Sequence, residues 1–101
     1  MIKVSDKEME IILDIIKKHG KDCEVSVFGS RLKGNSRKFS DLDLVLKCDK
    51  GLELEKKFKL EFEFEKSDLP YKVDIVDYNK TSEEFKKIID NDNEMIYNNK
   101  L

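Results

Sequence analysis

The segment DLDLVLK, residues 41–47, constrains this chain more than any other stretch. Side chains alternate across a strand, so Leu42, Leu44 and Leu46 share one face while Asp41 and Asp43 open the other. The leucines call for a covering layer of helices. The carboxylates call for water, a cation or a partner on the opposite side. Unpaired, adjacent carboxylates repel and each is harder to ionise. A divalent ion resolves that conflict, and hard oxygen ligands suit magnesium.

The elements around this strand are well marked. Ser5 and Glu8 form an S-x-x-E capping box ahead of Met9, Ile12, Leu13 and Ile16 at helical spacing, and Gly20 stops the helix. Residues 24–28, EVSVF, read as a strand that ends at Gly29-Ser30. Pro70 precedes YKVDIVDY, residues 71–78, a third strand with Val73 and Ile75 toward a core. That turns Asp74 to the open face and leaves Asp77 as a cap or surface group. Thr81 or Ser82 then caps a last helix carrying Phe85, Ile88 and Ile89, with Met95, Ile96 and Tyr97 continuing its apolar surface.

Residues 51–68 fit two patterns. Phe58, Leu60, Phe62 and Phe64 alternate as in an edge strand, while Leu54, Phe58 and Phe62 form a helical stripe. Topology favours the helix. If Gly29, Ser30, Asp41, Asp43 and Asp74 converge, strand one is antiparallel to strand two and strand three is parallel to it. A parallel pair needs a crossover of about a dozen residues, usually helical. The expected fold is α+β: a small mixed β-sheet covered by helices, in the order αβαβαβα, as one domain spanning residues 1–101.

Composition narrows the function. Twenty basic residues against 22 acidic ones give a net charge of -2, which argues against general nucleic-acid binding by bulk attraction. No apolar run approaches the ~20 residues of a membrane span, and the first residues lack a signal-peptide core, so the expected setting is cytoplasmic, with no membrane partner. Cys23 and Cys48 stand 25 residues apart with no CxxC and one histidine in the chain, which leaves zinc without ligands. Both read as small buried apolar residues of a reduced protein. His19, at a helix end, reads as structural.

Gly29 permits close backbone approach to a phosphate, and Ser30 at a helix start offers a hydroxyl to the same anion. Arg31, Lys33, Arg37 and Lys38 add positive charge in a stretch without acids, residues 31–40. Taken together, GSRLKG, then SDLDL, then VDIVD resembles the polymerase-beta-type nucleotidyltransferase superfamily, and the small span resembles its minimal nucleotidyltransferase branch. The resemblance runs from about residue 5 to residue 90. It implies a nucleotidyltransferase-like fold, with Gly29, Ser30, Arg31 and Lys33 at the triphosphate of ATP. Asp41, Asp43 and Asp74 would be both catalytic residues and ligands of two magnesium ions. Lys33 stands where such proteins often have arginine, keeping the charge without the bidentate fork. The same branch is often paired with HEPN-domain toxins, which implies an antitoxin that adenylylates a toxin tyrosine. The alternatives are a binding-only antitoxin with a relic site, and a small-molecule nucleotidyltransferase acting as a dimer, a homo-oligomer of the chain.

Overall fold

The computed structural model describes residues 2–33 and 40–100. Gly34, Arg37 and Lys38 of the basic stretch lie outside the described residues, as do the side chains of Ser30 and Lys33. Helix α1 spans Asp6–His19, capped by the Ser5–Glu8 box in both directions, and Gly20 closes it through an N–H donated to the Ile16 carbonyl. Its buried side is Ile12, Ile15 and Ile16, so Ile15 belongs to the core stripe where Met9 and Leu13 were expected. Strand β1 is Cys23–Phe28, helix α2 is the single turn Ser30–Lys33, and strand β2 is Leu42–Cys48. Helix α3 is Leu54–Glu65, strand β3 is Val73–Asp77, and a 3-10 turn at Tyr78–Lys80 leads to helix α4, Glu83–Asn91.

The four-stranded sheet has the order β3-β2-β1-β4, with β1 antiparallel to β2 and β3 parallel to it, as the convergence of the acids required. Helix α3 is the crossover that the parallel pair needs. Leu42, Leu44 and Leu46 are fully buried beneath α1 and α3, with Val25, Val27, Leu60 and Phe64 in the same core. The opposite face carries a smaller cluster of Phe28, Val45 and Ile89, with Phe85 edge-on to Phe28 at 5.8 Å. Helix α4 therefore covers only part of that face. No described helix is long and apolar enough to cross a membrane.

Three expectations change. The segment after α4 is strand β4, Glu94–Tyr97, antiparallel to β1, rather than more helix. The Asn93 side-chain amide donates to the Ile89 carbonyl at 2.9 Å and ends α4 there. Pairing then occupies the edge of β1 that would otherwise leave its backbone groups unpaired beside Val25 and Val27. Next, α3 is a helix, but its buried face is Leu60 and Phe64. The stripe of Leu54, Phe58 and Phe62 faces outward. Finally, Cys23 and Cys48 are buried but not reduced: they are directly opposed across β1 and β2 and joined in a disulfide. Antiparallel register brings together two residues that sequence spacing keeps 25 apart. His19 lies 4.0 Å from Glu63 of α3, consistent with a structural role.

Candidate active site

Asp43 and Asp74 are cross-strand partners in the parallel β2–β3 register, so their carboxylates leave the sheet side by side. Both lie on the face that bears Val45 and Val76, beyond the part that α4 covers. Asp41 immediately precedes β2 and is exposed. Partial withdrawal from water, then the charges of Asp74 and Asp41, hold the Asp43 carboxyl above its ordinary range. Lys72, one residue before β3, approaches Asp74 at 3.4 Å. Sequence reading passed over this cation, although its i, i+2 spacing to Asp74 puts both on one face.

Gly29 joins β1 to α2 with φ +83, a conformation that L side chains rarely adopt. A Cβ there would collide with the carboxylate of Asp43, which faces Phe28 across the β1–β2 ladder. The turn thus sets its backbone directly against the Asp43 carboxylate. Ser30 starts α2 at that point, and Leu32 N–H closes the turn onto the Gly29 carbonyl at 3.1 Å.

Arg31, next to this turn, is buried. Its side chain is 5% exposed, its Nε donates to the Ser40 carbonyl at 2.9 Å, and one Nη donates to the Lys3 carbonyl at 2.8 Å. The guanidinium lies 3.8 Å above the Tyr71 ring, and the Tyr71 hydroxyl donates to Glu8 Oε1 at 2.9 Å. Burial, then the Glu8 carboxylate, push the Tyr71 hydroxyl well up, so it stays a donor. Arg31 is thus held by two backbone carbonyls and the Tyr71 ring. It ties the Gly29-Ser30 turn to Ser40, the residue before Asp41, and to the start of the chain. Its one sequence signal was membership of a basic loop, which could not separate a buried clamp from a surface charge. Asp77 is the cap expected of it, accepting from Asn79 N–H at 3.1 Å.

The donor chemistry of the three aspartates is oxygen-only and fits magnesium. As they stand, no three His, Cys, Asp or Glu side chains among the described residues are gathered tightly enough to enclose an ion. Asp43 and Asp74 form a fixed pair, and Asp41 lies at its margin.

Residues 10–100 match the family model described as polymerase beta nucleotidyltransferase. Over 88 residues the chain is 38% identical to a probable protein adenylyltransferase MntA of Haemophilus influenzae, covering 87% of this chain and 77% of that protein. A solved minimal nucleotidyltransferase, described as putative, superposes with a TM-score of 0.67 at 29% identity, covering 89% of this chain and 88% of the other. A toxin–antitoxin crystal structure with AMP-PNP contains a chain that superposes with a TM-score of 0.73 at 19% identity, covering 86% of this chain and 70% of that one.

Proposed function

Because the chain belongs to the polymerase beta nucleotidyltransferase family, we propose that it is the antitoxin of a toxin–antitoxin pair and moves AMP from ATP to a tyrosine hydroxyl of a HEPN-type toxin. The observation that carries the reading is the pairing of Asp43 with Asp74 in register, against the Gly29 turn, on the uncovered part of the sheet. Two adjacent like charges beside a backbone turn that admits no side chain suit a ligand that brings its own cations. The resemblance to an adenylyltransferase and to a chain crystallised with AMP-PNP supports ATP as that ligand. A cytoplasmic setting, where nucleoside triphosphate is abundant, is part of the same reading.

In the proposed step the tyrosine oxygen attacks the α-phosphorus in line, the bond to the β-bridging oxygen breaks, and pyrophosphate leaves. Asp41, Asp43 and Asp74 would hold the magnesium, which when bound offsets phosphate charge and acidifies the attacking hydroxyl. Asp74 would take the hydroxyl proton as the bond forms. Gly29 lets backbone approach the triphosphate, and Ser30 and Lys33 would complete the cradle. Lys72 keeps Asp74 partly neutralised before substrate arrives.

Co-expression with the product of the adjacent gene, followed by intact-mass measurement of that product, tests this reading. The expected outcome is a mass increase of one or more AMP units, lost with Asp43→Asn and with Asp74→Asn but kept with Asp77→Asn. One observation favours a second reading, a binding-only antitoxin: the described acids do not by themselves enclose an ion. An unmodified toxin that the Asp43→Asn protein still binds and silences would establish it.

A further inference from the structure

Strand register pairs Asp43 with Asp74, but it does not reach the rest of the site. The β2–β3 ladder begins at Leu42 and β1 ends at Phe28, so Asp41 and the Gly29 turn both lie outside the paired strands. Arg31 spans this gap, with its Nε on the Ser40 carbonyl at 2.9 Å. Its contact with the start of the chain runs both ways. One Nη donates to the Lys3 carbonyl at 2.8 Å, and the Lys3 N–H donates to the Arg31 carbonyl at 2.8 Å. A long side chain used in this way needs its plane fixed, because free rotation would spread its donors over many directions. The Tyr71 ring, 8% exposed, supplies a face for it at 3.8 Å. Stacking uses the face of the guanidinium and leaves the in-plane N–H groups to the carbonyls. Tyr71 is itself anchored, since Glu8 Oε1 accepts from its hydroxyl at 2.9 Å and from the Ser5 N–H at 3.2 Å. It stands just before Lys72 and three residues before Asp74.

We infer that Tyr71 is a positioning residue, whose ring holds Arg31 so that the Gly29 turn and Asp41 keep their places beside the Asp43–Asp74 pair. The acids then have two kinds of support. Backbone pairing fixes Asp43 and Asp74, whereas Asp41 depends on a side-chain clamp that starts at the turn and rests on Tyr71. Loss of the ring loosens Asp41 and the turn together and leaves the paired acids in place. The hydroxyl matters less than the ring: its bond to Glu8 feeds electron density into the ring, but the guanidinium meets the ring itself. Groups that orient a ligand set from behind change its affinity by roughly 10- to 100-fold when removed. That consequence for magnesium and nucleotide rests on the proposed function, while the clamp itself is a property of the metal-free chain.

Amide hydrogen exchange of the metal-free protein tests the clamp. The Lys3 and Leu32 N–H groups close onto the Arg31 and Gly29 carbonyls. Tyr71→Leu should speed their exchange roughly 10-fold or more beyond any change in the β1–β2 ladder. Ile16→Val, a core change on α1 that lowers stability alone, should show no such local excess. Calorimetry with ATP and magnesium reads the consequence. The dissociation constant should rise roughly 10-fold or more in Tyr71→Leu and stay near the wild-type value in Ile16→Val. Tyr71→Phe, which keeps the ring, should lie closer to wild type than to Tyr71→Leu. If Tyr71→Leu does not fold, Arg31→Met, which keeps the ring and removes the donors, carries the same two expectations. Exchange unchanged at Lys3 and Leu32, or quickened equally throughout, would overturn the inference. So would nucleotide binding that Tyr71→Leu leaves intact or that Tyr71→Phe weakens just as much. A wild-type chain that binds no magnesium and ATP would instead sink the proposed reaction, and the exchange result would still decide the role of Tyr71.

Discussion

Asp43 stands where three unfavourable influences meet: partial loss of water, Asp74 across the ladder and Asp41 two residues back. Its carboxyl is held above its ordinary range, so the folded chain binds that proton more tightly than the unfolded chain. The sign follows by linkage. The ionised group detracts from folding, and the metal-free protein loses stability as pH rises through the folded value. Asp43→Asn should therefore melt at or above the wild-type temperature at pH 7 in a chelator, and should flatten that part of the pH profile. Transfer should fall on the order of 100-fold or more, since a group acting on transition-state charge is removed. Arg31 behaves in the opposite way. Arg31→Lys keeps one charge but loses the fork that reaches both Ser40 and Lys3. It should cost about 1–3 kcal/mol in denaturant unfolding, because at least one part-buried carbonyl loses the donor that the buried guanidinium supplied. Weakened nucleotide binding beyond that loss would show that the clamp also holds the Gly29 turn in place.

Strands rather than helices make the least expected contributions among the elements. β4 looks from its composition like the tail of an apolar helix, and its removal would then trim an exposed end. As an edge strand on β1 it is part of the sheet, with the Tyr97 hydroxyl donating to the Lys21 carbonyl at 3.2 Å. Truncation after Asn93 should accordingly lower stability by several kcal/mol and broaden the thermal transition, rather than leave a folded nucleotide-binding protein. Circular dichroism melts of the two chain lengths will tell. The Cys23–Cys48 bridge clamps the same β1 at the end of the sheet remote from Asp43, so the acidic pair does not depend on it for register. α3 was legible as a helix from topology, but its buried face was not. Both of its stripes are apolar, and only contact with α1 and β3 decides which one is buried.

At the scale of the whole molecule, the two faces of the sheet divide the work. One is sealed by α1 and α3, and the other is left open beside α4 at the carboxylates. Asp43 and Asp74 set like charges side by side, a repulsion that a bound cation would relieve. ATP with magnesium, present at about 100 times its dissociation constant, should stabilise the fold by about 2.7 kcal/mol. For a domain of this length that raises the melting temperature on the order of 10 °C. ATP with a chelator should give little of that shift. Equal shifts in both conditions would remove the metal from the reading.

The alternation in DLDLVLK and VDIVD was enough to set which side chains face a core, which acids share a surface and, through the crossover length, the parallel pairing of β2 and β3. These are local or nearly local properties, governed by a period of two and by chain reach. The tertiary structure alone decided the rest. Arg31 became a clamp because Ser40, Lys3 and Tyr71 meet around it, and Met95 to Tyr97 became a strand because β1 had a free edge. The two cysteines met because antiparallel register cancels 25 residues of separation. Each outcome depends on partners distant along the chain, which no spacing rule within one segment can supply.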